Sequence, residues 1–181
     1  MERRSALALA ARLADAVDRV VSGAAVLFSR VALPLMIACG AGLLFGRHLR
    51  LSPTADLKEL ESVLFFGLVM LSFGYAYLRD AHVRIDLVSR RLPARIRAAI
   101  ELAGCAMVLL PFCAVLMWYG GESAWLSFIQ GERLSVGDLP LQWVVRLMVP
   151  IGALTLAAAS FAVSVRSLCV LASPPTREPG R

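Results

Sequence analysis

Two histidines, four cysteines and three glutamates beside apolar runs are the side chains of this chain best suited to chemistry. A haem or metal would draw on the first two types, and proton-coupled transport on an acid held inside a membrane. Their spacing supports neither. His48 and His82 are expected on opposite sides of a membrane, so they cannot ligate one group together. Cys39, Cys105, Cys113 and Cys169 lie in or beside apolar runs without any Cys-x-x-Cys pair, and read as small buried side chains. Glu61, Glu101 and Glu122 fall near the ends of apolar runs, where interfacial solvation accounts for them. No HExxH, Walker A or Gly-rich dinucleotide motif occurs. The chain is therefore expected to be no enzyme and to hold no cofactor or metal.

The densest charge lies between residues 79 and 97. Arg79, His82, Arg84 and Asp86 are close enough in sequence to form a hydrogen-bonded cluster that fixes this loop at a membrane surface. The plain alternative is a basic loop that sets topology and has no fold of its own. Val83, Leu87, Val88 and Leu92 are spaced to line one helical face, which predicts a short interfacial helix. Pro93 suits the first turn of the helix that follows.

The elements that position these residues follow from hydropathy. Hydrophobic residues make up 59% of the chain and the mean hydropathy is +0.72. Four stretches approach or exceed the ~20 apolar residues that cross a hydrocarbon core. Helices are the expected form, because lipid offers the backbone no partners. The fold class read here is an all-α membrane protein with four transmembrane helices, at about 23–46, 61–78, 98–121 and 141–165. These form one membrane domain, 23–171, between an amphipathic segment, 1–22, and a tail, 172–181, whose composition predicts disorder. Residues 5–21 either lie along the membrane surface or extend the first crossing. Arg12, Asp15, Asp18 and Arg19 interrupt the run that a signal peptide would need, so this segment is expected to stay in the mature protein.

Several residues inside the spans stand out. Arg30 falls about a third of the way into the first, where snorkelling to the nearer headgroups is the favoured reading and a partner on another subunit the alternative. Gly42 and Gly46 make a GxxxG match that permits close helix approach. Pro111 should kink the third span or free a carbonyl, and Pro150 should bend the fourth, one turn past Arg146. Trp118, Tyr119 and Trp125 form an aromatic belt at one end of span three.

The net charge of +6 is carried by arginine, with Lys58 the only lysine. Flanking cations of this kind set topology, and nucleic acid is not an expected partner. The N-terminal segment, second loop and tail hold Arg3, Arg4, Arg12, Arg19, Arg79, Arg84, Arg90, Arg91, Arg95, Arg97, Arg166, Arg177 and Arg181. The opposite side holds only Arg47, Arg50, Lys58 and Arg133. Both termini are therefore expected in the cytoplasm, with the first and third loops outside.

The run Tyr75–Pro93, with Arg79, His82, Val83, Ile85 and Asp86 in order, resembles the signature of the small permease subunit of tripartite ATP-independent periplasmic (TRAP) transporters. The likeness extends to Arg47-His48 after span one and to Glu61 near the start of span two. It continues through Gly131-Glu132 with Ser135, Leu139-Pro140-Leu141 with Trp143, and Pro150 with Gly152, and so covers most of residues 44–155. Within the family, Asp80–Asp86 together with Leu110-Pro111-Phe112 and Gly131-Glu132 is most similar to the branch described for mannitol or chloroaromatic compounds. His48 departs from the usual tyrosine, and the first outer loop is slightly longer.

The resemblance implies a bacterial inner-membrane protein with four spans and both termini inside. Its implied partners are a large permease that carries the substrate and sodium sites, a periplasmic binding protein that delivers an organic acid or similar solute, and the lipid bilayer. The small subunit would act as a scaffold in sodium-coupled uptake, with Arg47, Glu61, Arg79, His82, Arg84, Asp86, Pro140, Trp143, Pro150 and Gly152 as its family motif. The loop Glu122–Asp138, through Glu122, Glu132 and Arg133 and together with Arg47, His48 and Arg50, is the candidate contact for the periplasmic protein. A plain helix connector is the alternative. Two rival classes remain from the residues alone: an autonomous four-helix carrier or channel acting as a homo-oligomer, and a membrane enzyme or electron-transfer subunit.

Overall fold

A computed structural model describes residues 2–48, 54–79, 93–134 and 139–172, and every regular element among them is helical. Helix α1 runs Glu2–His48 and α2 runs Thr54–Leu78. A third rod comprises α3 (Ala94–Gly104), a π-helical turn (Cys105–Leu109) and α4 (Leu110–Gln130). Helix α5 runs Gln142–Ala172. Four stretches are long and apolar enough to cross a membrane: Arg12–Gly46, Ala55–Leu78, Arg95–Gln130 and Gln142–Ala172.

Residues 5–21 and the first span are one unbroken helix. At 1.5 Å per residue a helix of this length measures about 70 Å, against a hydrocarbon core of ~30 Å. The other helices also outrun their apolar stretches. Helix α2 starts ahead of Asp56, Lys58 and Glu59, and α4 continues from Glu122 to Gln130, residues expected to be loop. Charged side chains mark where lipid ends, but they do not by themselves stop a helix, and α4 runs through Gly120 and Gly121 as well. Asp56, in the first turn of α2, even complements the helix dipole.

Local chemistry explains the ends that do occur. Pro93 stands immediately before α3, and its carbonyl accepts from the N–H groups of Ile96 (2.9 Å) and Arg97 (3.1 Å). Helix α4 stops at Gly131, which adopts φ 61°. There Glu132 N–H reaches back to Ser127 O at 3.2 Å in a Schellman-type closure that a residue with a Cβ would strain.

The π-turn reconciles Pro111 with the packing of the third rod. Proline has no N–H and its ring crowds the carbonyl four residues back. Here the chain widens just before it, and Leu110 N–H bonds to Cys105 O. The turn also corrects the register. Ala98, Cys105 and Cys113 are all buried. Eight residues of α-helix would rotate Cys113 about 80° away from the face of Cys105. The extra residue of a π-turn removes most of that rotation, so both halves of the rod face the bundle.

Helix α5 is the hub and touches each of the other helices. Its buried residues are small: Gly152, Ala153, Ala159, Ser160, Ala162, Ser164 and Ser167. Small side chains let backbones approach in a medium that supplies no hydrophobic drive between helices. The tightest approach is reciprocal. A Cβ on Gly74 of α2 would sit 2.7 Å from Thr155 O, and one on Gly152 would sit 2.9 Å from Met70 O. At Gly42 of the GxxxG match, by contrast, a Cβ would meet Leu57 at an ordinary 3.5 Å.

Candidate functional site

Polar side chains gather at the two ends of the bundle. At the end shared by the N-terminal half of α1 and the C-terminal half of α5, Arg166 Nη2 donates to Asp15 Oδ1 (3.0 Å) and to Asp18 Oδ2 (2.9 Å). Ser22 Oγ donates to the other oxygen of Asp18 at 3.0 Å. The next residue along α5, Ser167, donates its hydroxyl to Glu101 Oε2 of α3 at 3.2 Å. Adjacent residues of the hub thus hold α1 on one side and α3 on the other. Arg79, at the end of α2, stacks its guanidinium 5.5 Å from the Tyr75 ring.

At the opposite end Arg146 Nη2 pairs with Glu132 Oε2 at 2.6 Å. Its Nη1 donates to Ser123 Oγ at 3.2 Å and lies 3.4 Å from Ser123 O. One arginine therefore ties α5 both to α4 and to the turn between them. Phe128 packs edge-on against Trp143 (5.6 Å) and stacks with Trp125 (6.2 Å), closing this end with aromatic rings. The same turn is crossed by a backbone bond from Leu134 N–H to Leu139 O.

Between the ends, a cleft of about 500 Å³ opens among α2, the third rod and α5, lined by apolar residues including Met70, Phe73, Phe112 and Leu156. Tyr77 Oη lies 2.9 Å from Cys105 Sγ at one edge of it. Among the described residues, no three His, Cys, Asp or Glu side chains come together as a metal site.

The structure disperses the sequence-predicted residues. Glu61 places a carboxylate oxygen beside Gly40, where a Cβ would be 3.6 Å away. Pro150 and Gly152 lie in the α5 interface, Pro150 against Gly120. Pro140 stands two residues before α5, and Trp143 lies in its first turn within the aromatic cluster. Glu122 and Arg133 are exposed, while Glu132 is engaged by Arg146. His82, Arg84, Asp86 and Arg50, the second-loop interfacial helix and the tail lie outside the described residues, and so does the side chain of Arg47. The pairs Arg166–Asp15, Arg166–Asp18 and Ser167–Glu101 were not anticipated. Asp15 and Asp18 share a helical face by their spacing of three, but nothing local to them points to an arginine 148 residues away.

Comparison with known proteins supplies what this geometry does not. No curated protein matches the chain. The family described as "Tripartite ATP-independent periplasmic transporters, DctQ component" matches residues 36–170, from the last quarter of α1 almost to the end of α5. The four membrane-length helices, the polar ends and that match over most of the sequence converge: the chain belongs to the DctQ component family of tripartite ATP-independent periplasmic transporters and is a small multi-pass membrane subunit of that transporter class.

Proposed function

We propose that this subunit is a scaffold for a large permease, and that the pair takes up an organic acid or similar solute with sodium after delivery by a periplasmic binding protein. It would sit in the bacterial inner membrane with both termini in the cytoplasm, as the asymmetry of arginines supports.

One observation carries the scaffold reading. Among the described residues, the bundle interior is built from apposed Gly, Ala and Ser, and its ion pairs sit at the two ends. Carriers place polar groups or broken helices at mid-depth around their cargo. This interior is spent on packing, and the outward faces carry large apolar side chains.

On the same reading, Arg79, His82, Arg84 and Asp86 hold the second loop at the inner surface, with the Arg79–Tyr75 stack as its first fixed point. Glu122 and Arg133, with Arg47 near the end of α1 and Arg50 shortly after it in sequence, face the periplasmic protein. Glu132 acts indirectly, by setting the turn through Arg146.

The test is reconstitution. Vesicles holding this subunit alone should move no organic acid under a sodium gradient, and vesicles holding both membrane subunits should do so when the binding protein is added. Solute movement by the small subunit alone would overturn the proposal.

A further inference from the structure

Arg30 is the one charged residue of α1 between Arg19 and Arg47, and it points outward. Its depth can be read from its neighbours. Asp18, twelve residues earlier, stands level with Arg166 at one polar end. Gly40, ten residues later, stands level with Glu61 at the other. At 1.5 Å per residue those intervals are about 18 and 15 Å, and together they match the ~30 Å hydrocarbon core. Arg30 therefore sits near the middle of the membrane, too deep for its side chain to reach headgroups on either side. Snorkelling does not account for it.

The backbone at the same turn is also incomplete. Pro34 lies within α1, and without an N–H it cannot give the carbonyl of Arg30 its helical hydrogen bond. A guanidinium and a carbonyl short of its donor thus share one turn of an exposed face. The same Arg-x-x-x-Pro spacing recurs at Arg146 and Pro150. There the guanidinium is held inside the chain by Glu132 and Ser123. Among the described residues, no atom of the chain pairs with Arg30.

The rest of that face is uniformly apolar and open. Among the described residues nothing lies within 4 Å of where a Cβ on Gly23 would be, and Leu27, Ile37 and Leu44 are each about two-thirds exposed or more, at 67%, 72% and 68%. A second copy of this chain is a poor complement. Among the described residues, Asp15, Asp18 and Glu101 belong to one end and Asp56, Glu59, Glu61, Glu122 and Glu132 to the other, leaving no carboxylate at the depth of Arg30.

We propose that the face Gly23–Leu27–Arg30–Pro34–Ile37–Leu44 is buried in the assembled transporter against a transmembrane helix of the large membrane subunit, which presents a carboxylate to Arg30. The inference rests on the scaffold reading and adds the docking face and the chemistry of its anchor. Removing Arg30 strands the partner's carboxylate in hydrocarbon, a far larger penalty than loss of a rim contact.

The test uses the full transporter in its native membrane, with a photoreactive phenylalanine analogue at Ile37 and, as a control, at Met107 of the third rod. The Ile37 probe should join this chain to a transmembrane peptide of the large subunit that bears Asp or Glu within a helical turn of the linkage. Arg30→Leu should lower co-purification of the large subunit by about tenfold or more, with Arg30→Lys retaining part of it, at unchanged abundance of this chain. If Arg30→Leu lowers abundance, the linkage map in the otherwise native chain decides. The inference is overturned if the large subunit co-purifies but links at Met107 and not Ile37. It is equally overturned if Ile37 captures only lipid or a second copy, if the linked peptide bears no acid, or if Arg30→Leu leaves recovery unchanged. Absence of any large subunit with the native chain overturns the scaffold reading itself, and this inference with it.

Discussion

Arg146 and Glu132 meet at 2.6 Å across the turn that joins α4 to α5. Both side chains are about one-third exposed (33% and 31%), so water screens the pair in part. Arg146→Ala and Glu132→Gln should each cost about 1 kcal/mol, with Arg146→Ala the larger because it also abandons Ser123. The double variant should cost less than the two singles together. Thermal unfolding in detergent checks this, and strictly additive losses would show that the two residues do not interact.

At the other end the two acids that share Arg166 are not equivalent. Asp18 is more enclosed than Asp15, with side-chain exposures of 26% and 64%, and it alone also accepts from Ser22. Asp18→Asn should cost roughly 1 kcal/mol, and Asp15→Asn close to nothing. Arg166→Ala should release the first part of α1 from the bundle, read as faster amide hydrogen exchange over residues 9–22. Raising salt should mimic part of that release in the native chain.

The close crossing of α2 and α5 predicts a contrast among glycines. Gly74→Ala and Gly152→Ala drive a methyl group into a backbone carbonyl of the neighbouring helix, which cannot rotate away. Each should destabilise by about 1–3 kcal/mol. Gly104→Ala meets nothing within 4 Å among the described residues and should be neutral, or stabilising by up to about 1 kcal/mol through helix propensity. Melting temperatures of the three variants in one detergent would test the order.

If the π-turn serves register, one residue of the third rod is dispensable only there. Deleting Val108, which is exposed, together with Pro111→Ala should convert the turn to α-helix and keep Ala98, Cys105 and Cys113 on one face. Deleting exposed Val115 instead should rotate one half of the rod about 100° relative to the other and sharply reduce the folded yield. Equal yields from the two deletions would contradict the register argument.

The four crossings were legible because lipid imposes a composition on whatever passes through it. The helix ends were less so. Asp56, Lys58 and Glu59 looked like loop yet continue α2, because charge is a signal about solvent and not about backbone geometry. Gly131 was the better stop signal for α4. Pro111 correctly indicated a disturbance in the third span, but its form depended on which side chains had to face inward. The pairs were illegible for a different reason. Any of eighteen arginines could meet any acid, and only the packing of α1 on α5 decides that Arg166 finds Asp18. Arg30 was visible from the outset, but its significance needed Asp18 and Gly40 as depth marks on the same rod.

Helix α5 leans on every other helix and is also the last of them to leave the ribosome. Until it arrives, α1, α2 and the third rod lack their common wall, and Gly74 fronts lipid. Helices α1 and α2 already pack on one another, so assembly runs from that early hairpin to a late step in which the last helix joins the third rod to it. Nascent chains halted before Gly152 would be natural prey for membrane quality-control proteases.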